Sequence, residues 1–177
     1  MTPARIDIGA LVVSLAVGFA AMVHFGADAN WDLQNYHLYN GFAGVEGRLG
    51  VDPFLALQTY FNPALDVPFY LAFRHLGIYA AHALLAVYLG LFIWVVFLFN
   101  RHLLRLVLPA GSLGLVTVLA LAATVIGVTG ASAVGQAITT FNEIQTALLV
   151  IASIALVLPD AEGGVRPAGR MALAGLV

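Results

Sequence analysis

The chain has 177 residues, 62% of them hydrophobic and 9% charged, and its mean hydropathy is +0.98. Ordinary soluble domains are about 25% charged, so a water-solvated core is excluded and a bilayer is the expected solvent. The absence of cysteine removes any disulfide framework or thiolate metal site. A net charge of −2 without a basic stripe offers nothing to nucleic acid.

In chain order, Met-Thr-Pro-Ala-Arg-Ile-Asp leads into an apolar run from Ile8 to Phe25. The run is longer than a signal-peptide core and lacks a small-x-small cleavage site, so it reads as a retained first span acting as a signal anchor. Helices rise about 1.5 Å per residue, and roughly 20 apolar residues cross the hydrocarbon. Residues 26–77 form a long outer loop with short helices expected over 31–45 and 63–76. Gly47, Gly50 and Pro53 mark turns between them. Asn62 suits an N-cap, Pro63 the first helical position and Gly77 the stop. The second of these helices is about 20 Å long and too short to cross, which suits an interfacial position.

Further spans are expected over 78–99, 109–129 and 137–158, the last stopped by Pro159-Asp160. A fifth begins near Met171 and is incomplete at Val177, as in a fragment of a longer protein. The expected fold class is therefore all-α, a polytopic transmembrane helix bundle of about four full spans plus the start of a fifth. With the N-terminus inside, Arg5, Arg101, Arg105, Arg166 and Arg170 lie on the inner side, and only Arg48 and Arg74 lie outside. That bias favours a cytoplasmic N-terminus and an external, periplasmic first loop.

Polar chemistry concentrates in Trp31-Asp32-Leu33-Gln34-Asn35-Tyr36-His37-Leu38-Tyr39-Asn40, just past the first span. If Asn30 caps this helix, Asp32 lies in its first turn and shares a face with Asn35, Tyr36 and Tyr39. Asp32 is then a candidate general base, or simply a first-turn acid favoured by the helix dipole. Asp28 is a second carboxylate, a cap or a solvated acid. Asp28 and Asp32, four residues apart, also form a weak candidate pair for Mg²⁺ or Mn²⁺. Tyr36 and Tyr39 are candidate sugar contacts, against the general preference of aromatic rings for the membrane interface. His37 falls off the Asp32 face, as a phosphate or sugar ligand or as a structural histidine. The remaining histidines, His24, His75, His82 and His102, lack metal-ligand spacing. Arg48 and Arg74 either fork onto a phosphate or pair with nearby acids such as Asp52 and Asp66. Glu143, at the outer end of the fourth expected span, faces a cavity or sits hydrated at headgroup level.

The order of these motifs resembles the N-terminal part of bacterial GT-C-fold membrane glycosyltransferases. It runs from a span to Asp32-Leu33-Gln34-Asn35-Tyr36-His37, Gly47-Arg48 and Asn62-Pro63-Ala64-Leu65-Asp66-Val67-Pro68. A span closing in Asn100-Arg101-His102-Leu103-Leu104-Arg105 follows. The chain is particularly similar to uncharacterised bacterial membrane proteins with a Trp-Asp-Leu-x-Asn-Tyr-His pattern. Asn62-Pro63 stands where the superfamily more often has His-Pro-Pro. The resemblance implies sugar transfer from a polyprenyl-phosphate donor at the outer face of the inner membrane. The acceptor-deprotonating aspartate of the first loop would map onto Asp32. A transporter or flippase using the same acids, or a non-catalytic scaffold, are the alternatives.

Overall fold

The computed structural model describes residues 3–51, 63–158 and 174–175. Among the described residues the fold is all-helical, with helices α1 (Pro3–Phe25), α2 (Leu38–Val45), α3 (Asp66–Leu76), α4 (Ile78–Val107), α5 (Leu113–Val128), α6 (Ala131–Gly135) and α7 (Glu143–Val157). A π-helical turn, Leu33–His37, leads into α2, and a 3₁₀ turn, Pro63–Leu65, leads into α3. The helix stops follow local chemistry. Gly26, at φ +76°, ends α1, and its N–H donates to the Met22 carbonyl. Gly77, at φ +89°, ends α3 in the same way and lets α4 start one residue later. The Ser112 hydroxyl caps α5 by accepting from Leu115 N–H at 3.2 Å.

Among the described residues, two helices are long and apolar enough to cross a membrane, α1 with 23 residues and α4 with 30. The third and fourth expected spans are shorter than the sequence suggests. The helix within 109–129 has 16 residues, and the one within 137–158 starts only at Glu143 and has 15. At about 1.5 Å per residue each falls short of the roughly 30 Å hydrocarbon. In the fourth segment the cause is visible. Ile138 and Asn142 take positive φ values of 60° and 67°, a conformation that ends a right-handed helix. The stretch is held in that shape by tertiary hydrogen bonds and by burial of Ile138. Of the expected fifth span at 171–177, only residues 174–175 are described. Asn62, Asp52 and Pro53 also lie outside the described residues.

The central element is α4, which packs on α1, α3, α5 and α7. Helices α1 and α4 run antiparallel and meet through small residues. A Cβ on Gly18 would lie 2.2 Å from the Ala86 carbonyl oxygen, and one on Gly90 would lie 2.8 Å from Leu15 Cα. Such close backbone approach is how helices associate where lipid supplies no hydrophobic drive. At the α1 N-terminal end, Arg101 pairs with Asp7 and lies over the Phe97 ring, and Trp94 Nε1–H donates to the Asp7 carbonyl at 3.0 Å. Asn100 Nδ2 reaches Thr124 Oγ1 at 3.2 Å and joins α4 to α5. The buried core lies towards the opposite end, where Leu33, Phe69, Leu85, Leu89, Phe92, Ile138 and Ile144 pack together. That end also carries the long loop and the polar residues of interest.

Candidate functional site

Three strands of polar chemistry converge on the loop-bearing end. The first is centred on Asp28. Its Oδ1 accepts the Asn30 N–H at 3.1 Å, and its Oδ2 accepts both the N–H and the hydroxyl of Thr140 at 2.9 Å. The Asp28 N–H donates to His82 Nε2, whose Nδ1–H donates to the Ile78 carbonyl at 2.7 Å. A carbonyl can only accept and a backbone N–H can only donate, so the His82 proton sits on Nδ1. Asp28 thereby ties together the end of α1, the start of α4 and the connector before α7. With Oδ2 already accepting two hydrogen bonds, Asp28 is poorly placed to share a cation with Asp32. Among the described residues, no group of three or more His, Asp or Glu side chains is arranged to hold a metal ion.

The second strand is centred on Asp66, in the first turn of α3 and 5% exposed. His37 Nδ1–H and Asn142 Nδ2–H both donate to its Oδ1, each at 2.7 Å. His37 is 6% exposed, and its Nε2 is buried without a hydrogen-bond partner. The π-helical turn aims His37 inward, and α2 lies close enough to α3 to meet Asp66. A Cβ on Gly41 would approach Tyr70 Cβ to 2.5 Å. Asp66 therefore serves His37 and Asn142 rather than Arg74. Arg74 instead pairs with Glu46 on the surface and touches the Tyr70 hydroxyl at 3.4 Å. The hydrogen bond that Arg74 donates to Glu46, and the neighbouring Tyr70, raise the guanidinium further above its ordinary range.

The third strand is Asp32 with Tyr36. Asn30 Oδ1 accepts the Leu33 N–H at 2.7 Å, which caps the turn as the sequence suggests and sets Asp32 at its start. Asp32 is partly exposed, whereas Tyr36 is buried. The Tyr36 hydroxyl is pushed up to about 12, first by burial, then by its hydrogen bond to Asp32 and that group's charge, then by Glu143 and Asp66. Three carboxylates from three elements thus act on one hydroxyl. The Tyr36 ring lies 4.3 Å from the His37 ring and 6.5 Å from Trp31. Tyr39 packs on Phe42 at 6.2 Å, and Phe42 on Tyr70 at 6.1 Å. Glu143 is exposed at the start of α7. Arg48 is exposed in the turn after α2, its N–H donating to the Ala43 carbonyl at 2.9 Å.

The raised Tyr36 value has a testable sign. The folded state keeps the phenol protonated above the usual 10, so its stabilising share is present below 10 and is lost as pH rises towards about 12. Wild-type protein is expected to lose thermal stability over that window more steeply than Tyr36→Phe. Parallel curves would show that the folded state does not hold the Tyr36 phenol protonated above its ordinary range.

Sequence reasoning missed Thr140 as a partner of Asp28, Asn142 as a partner of Asp66, and the His37–Asp66 contact. The adjacent threonines at 139 and 140, inside an apolar run, were the available signal. No protein-family model, curated protein or solved structure matches the chain.

Proposed function

We propose that this chain is a multi-pass protein of the bacterial inner membrane whose loop-bearing end is an outer-face glycosyl-transfer site. The arginine asymmetry supports that orientation. In this reading α5 and α7 complete four crossings, their shortness met by local thinning of the bilayer. The observation that carries the chemistry is the division of labour among the acids. Asp28 and Asp66 are committed to holding the scaffold, whereas Asp32 keeps access to solvent beside a protonated tyrosine.

The donor is a polyprenyl-phosphate sugar reaching this end through the lipid. Asp32 takes the proton from an acceptor hydroxyl, and the acceptor oxygen attacks the anomeric carbon. The bond from that carbon to the phosphate oxygen breaks, its electron pair staying on the phosphate. Arg48 and Arg74 are the cations of this face for the leaving phosphate. Tyr36 and Tyr39 border the sugar, with His37 held behind them by Asp66, and Glu143 orients the acceptor.

The test is Asp32→Asn in membranes carrying the protein, read as release of polyprenyl phosphate from a labelled polyprenyl-phosphate sugar. Removing a general base is expected to slow release by at least about 100-fold. Melting temperature and membrane insertion should stay close to wild-type values, because the asparagine keeps a side-chain oxygen that can accept from the Tyr36 hydroxyl. Undiminished release in the variant refutes the assignment.

A further inference from the structure

An apolar cavity of about 960 Å³ lies between α1 and α5 on the flank of α4. Val13, Val17, Phe97, Val118, Leu121 and Val125 form much of its wall. Of the four hydroxyl side chains on its wall, Thr117, Thr124 and Thr129 donate to the Leu113, Ala120 and Val125 carbonyls, each at 2.7 Å, and Ser14 is 5% exposed. Apart from Ser14 and the cation at its end, the lining presents hydrocarbon, which suits an acyl chain and not a sugar or a water chain. Gly9 and Gly114 border the cavity, and a Cβ built on either meets nothing within 4 Å. The space there is open.

One end of the cavity is marked by charge. Arg5 lines it and is exposed. Its near neighbour Asp7 is neutralised by Arg101, and no carboxylate pairs with Arg5 among the described residues. A cation at the mouth of an apolar cleft between helices is the arrangement that holds anionic lipid headgroups on the cytoplasmic side. We infer that this cleft is a binding site for an anionic phospholipid of the inner leaflet, with an acyl chain between α1 and α5 and the phosphate on Arg5. The site rests on the membrane embedding and inner position of the N-terminus proposed above, and is independent of the glycosyl-transfer reading. It lies at the opposite end of the bundle from Asp32.

Trp94 reports on this site, because its indole N–H is fixed to the Asp7 carbonyl two residues from Arg5. The chain has two tryptophans, so Trp31→Phe leaves Trp94 as the only one. The protein is reconstituted in phosphatidylcholine vesicles containing a minor fraction of brominated phosphatidylglycerol or, in parallel, of brominated phosphatidylcholine. Stronger Trp94 quenching by the anionic lipid is expected. Arg5→Gln should weaken that preference about fivefold, the effect of one cation at an anionic surface. Gly114→Leu should fill the cleft and lower quenching by both lipids, and Gly9→Leu provides the same test should the first variant fail to fold. Equal quenching by the two headgroups in the Trp31→Phe protein overturns the inference, as does indifference to Arg5→Gln. So does a disulfide-linked dimer formed through Gly114→Cys in an otherwise cysteine-free chain, since a second copy would then occupy the cleft.

Discussion

Gly18→Leu is expected to separate α1 from α4 and to destabilise the folded bundle by about 3 kcal/mol or more, the upper end of overpacking effects. Even the first added carbon would sit 2.2 Å from the Ala86 carbonyl oxygen. That oxygen belongs to helix backbone, so no rotamer change can move it aside. The helices must part, and the contact of Gly90 with Leu15 and the pairing of Asp7 with Arg101 would both be disturbed. The measurement is thermal unfolding in detergent micelles, with Gly9→Leu as the control. Gly9 lies on the same helix, but its added side chain meets open space. Gly18→Leu melting together with Gly9→Leu would show that the close crossing does not hold the bundle.

The two long apolar helices were legible in outline from one-dimensional composition, although α1 starts at Pro3 and not Ile8, and α4 runs on to Val107, past the expected end at Phe99. The runs beginning at Ile8 and Ile78 meet the length test, and Gly26 and Gly77 supply their boundaries. The cap at Asn30 was also legible, since capping is decided within three residues. The fourth expected span shows where composition stops informing. Ala137-Ile138-Thr139-Thr140-Phe141 is apolar enough to count as membrane helix. Its backbone leaves the helix because Thr140 bonds Asp28, 112 positions earlier, and Asn142 bonds Asp66, 76 positions earlier. Ile138 occupies a left-handed conformation that is costly for a branched side chain, yet its side chain is buried in the core. Such pairings have no local signature. His37 illustrates the same limit on a smaller scale. A helical wheel turns it away from Asp32, and the structure takes it to Asp66 by way of a π-helical turn that the wheel does not contain.

Asp66→Ala is the second substitution expected to have a large effect, about 3 kcal/mol of lost stability, the scale for leaving buried hydrogen-bond donors without their acceptor. It strands two donors at once, His37 Nδ1–H and Asn142 Nδ2–H, and the first belongs to a residue only 6% exposed. His37 Nε2 already lacks a hydrogen-bond partner, so the histidine would be buried with neither nitrogen satisfied. The penalty comes chiefly from the orphaned groups and not from the pair's own attraction. This distinction can be measured. Asp66→Leu combined with His37→Leu removes both partners and should be less destabilising than the sum of the single changes, a coupling that a double-mutant cycle reads directly. Additive losses would mean that the two side chains contribute independently. Asp66 also joins α3 to the turn that carries Tyr36 and to the connector before Glu143. Asp66→Ala is therefore expected to lower the proposed sugar transfer together with stability, whereas Asp32→Asn is expected to lower the proposed transfer alone. An Asp66→Ala protein that melts at the wild-type temperature would leave the convergence of these three elements without its anchor.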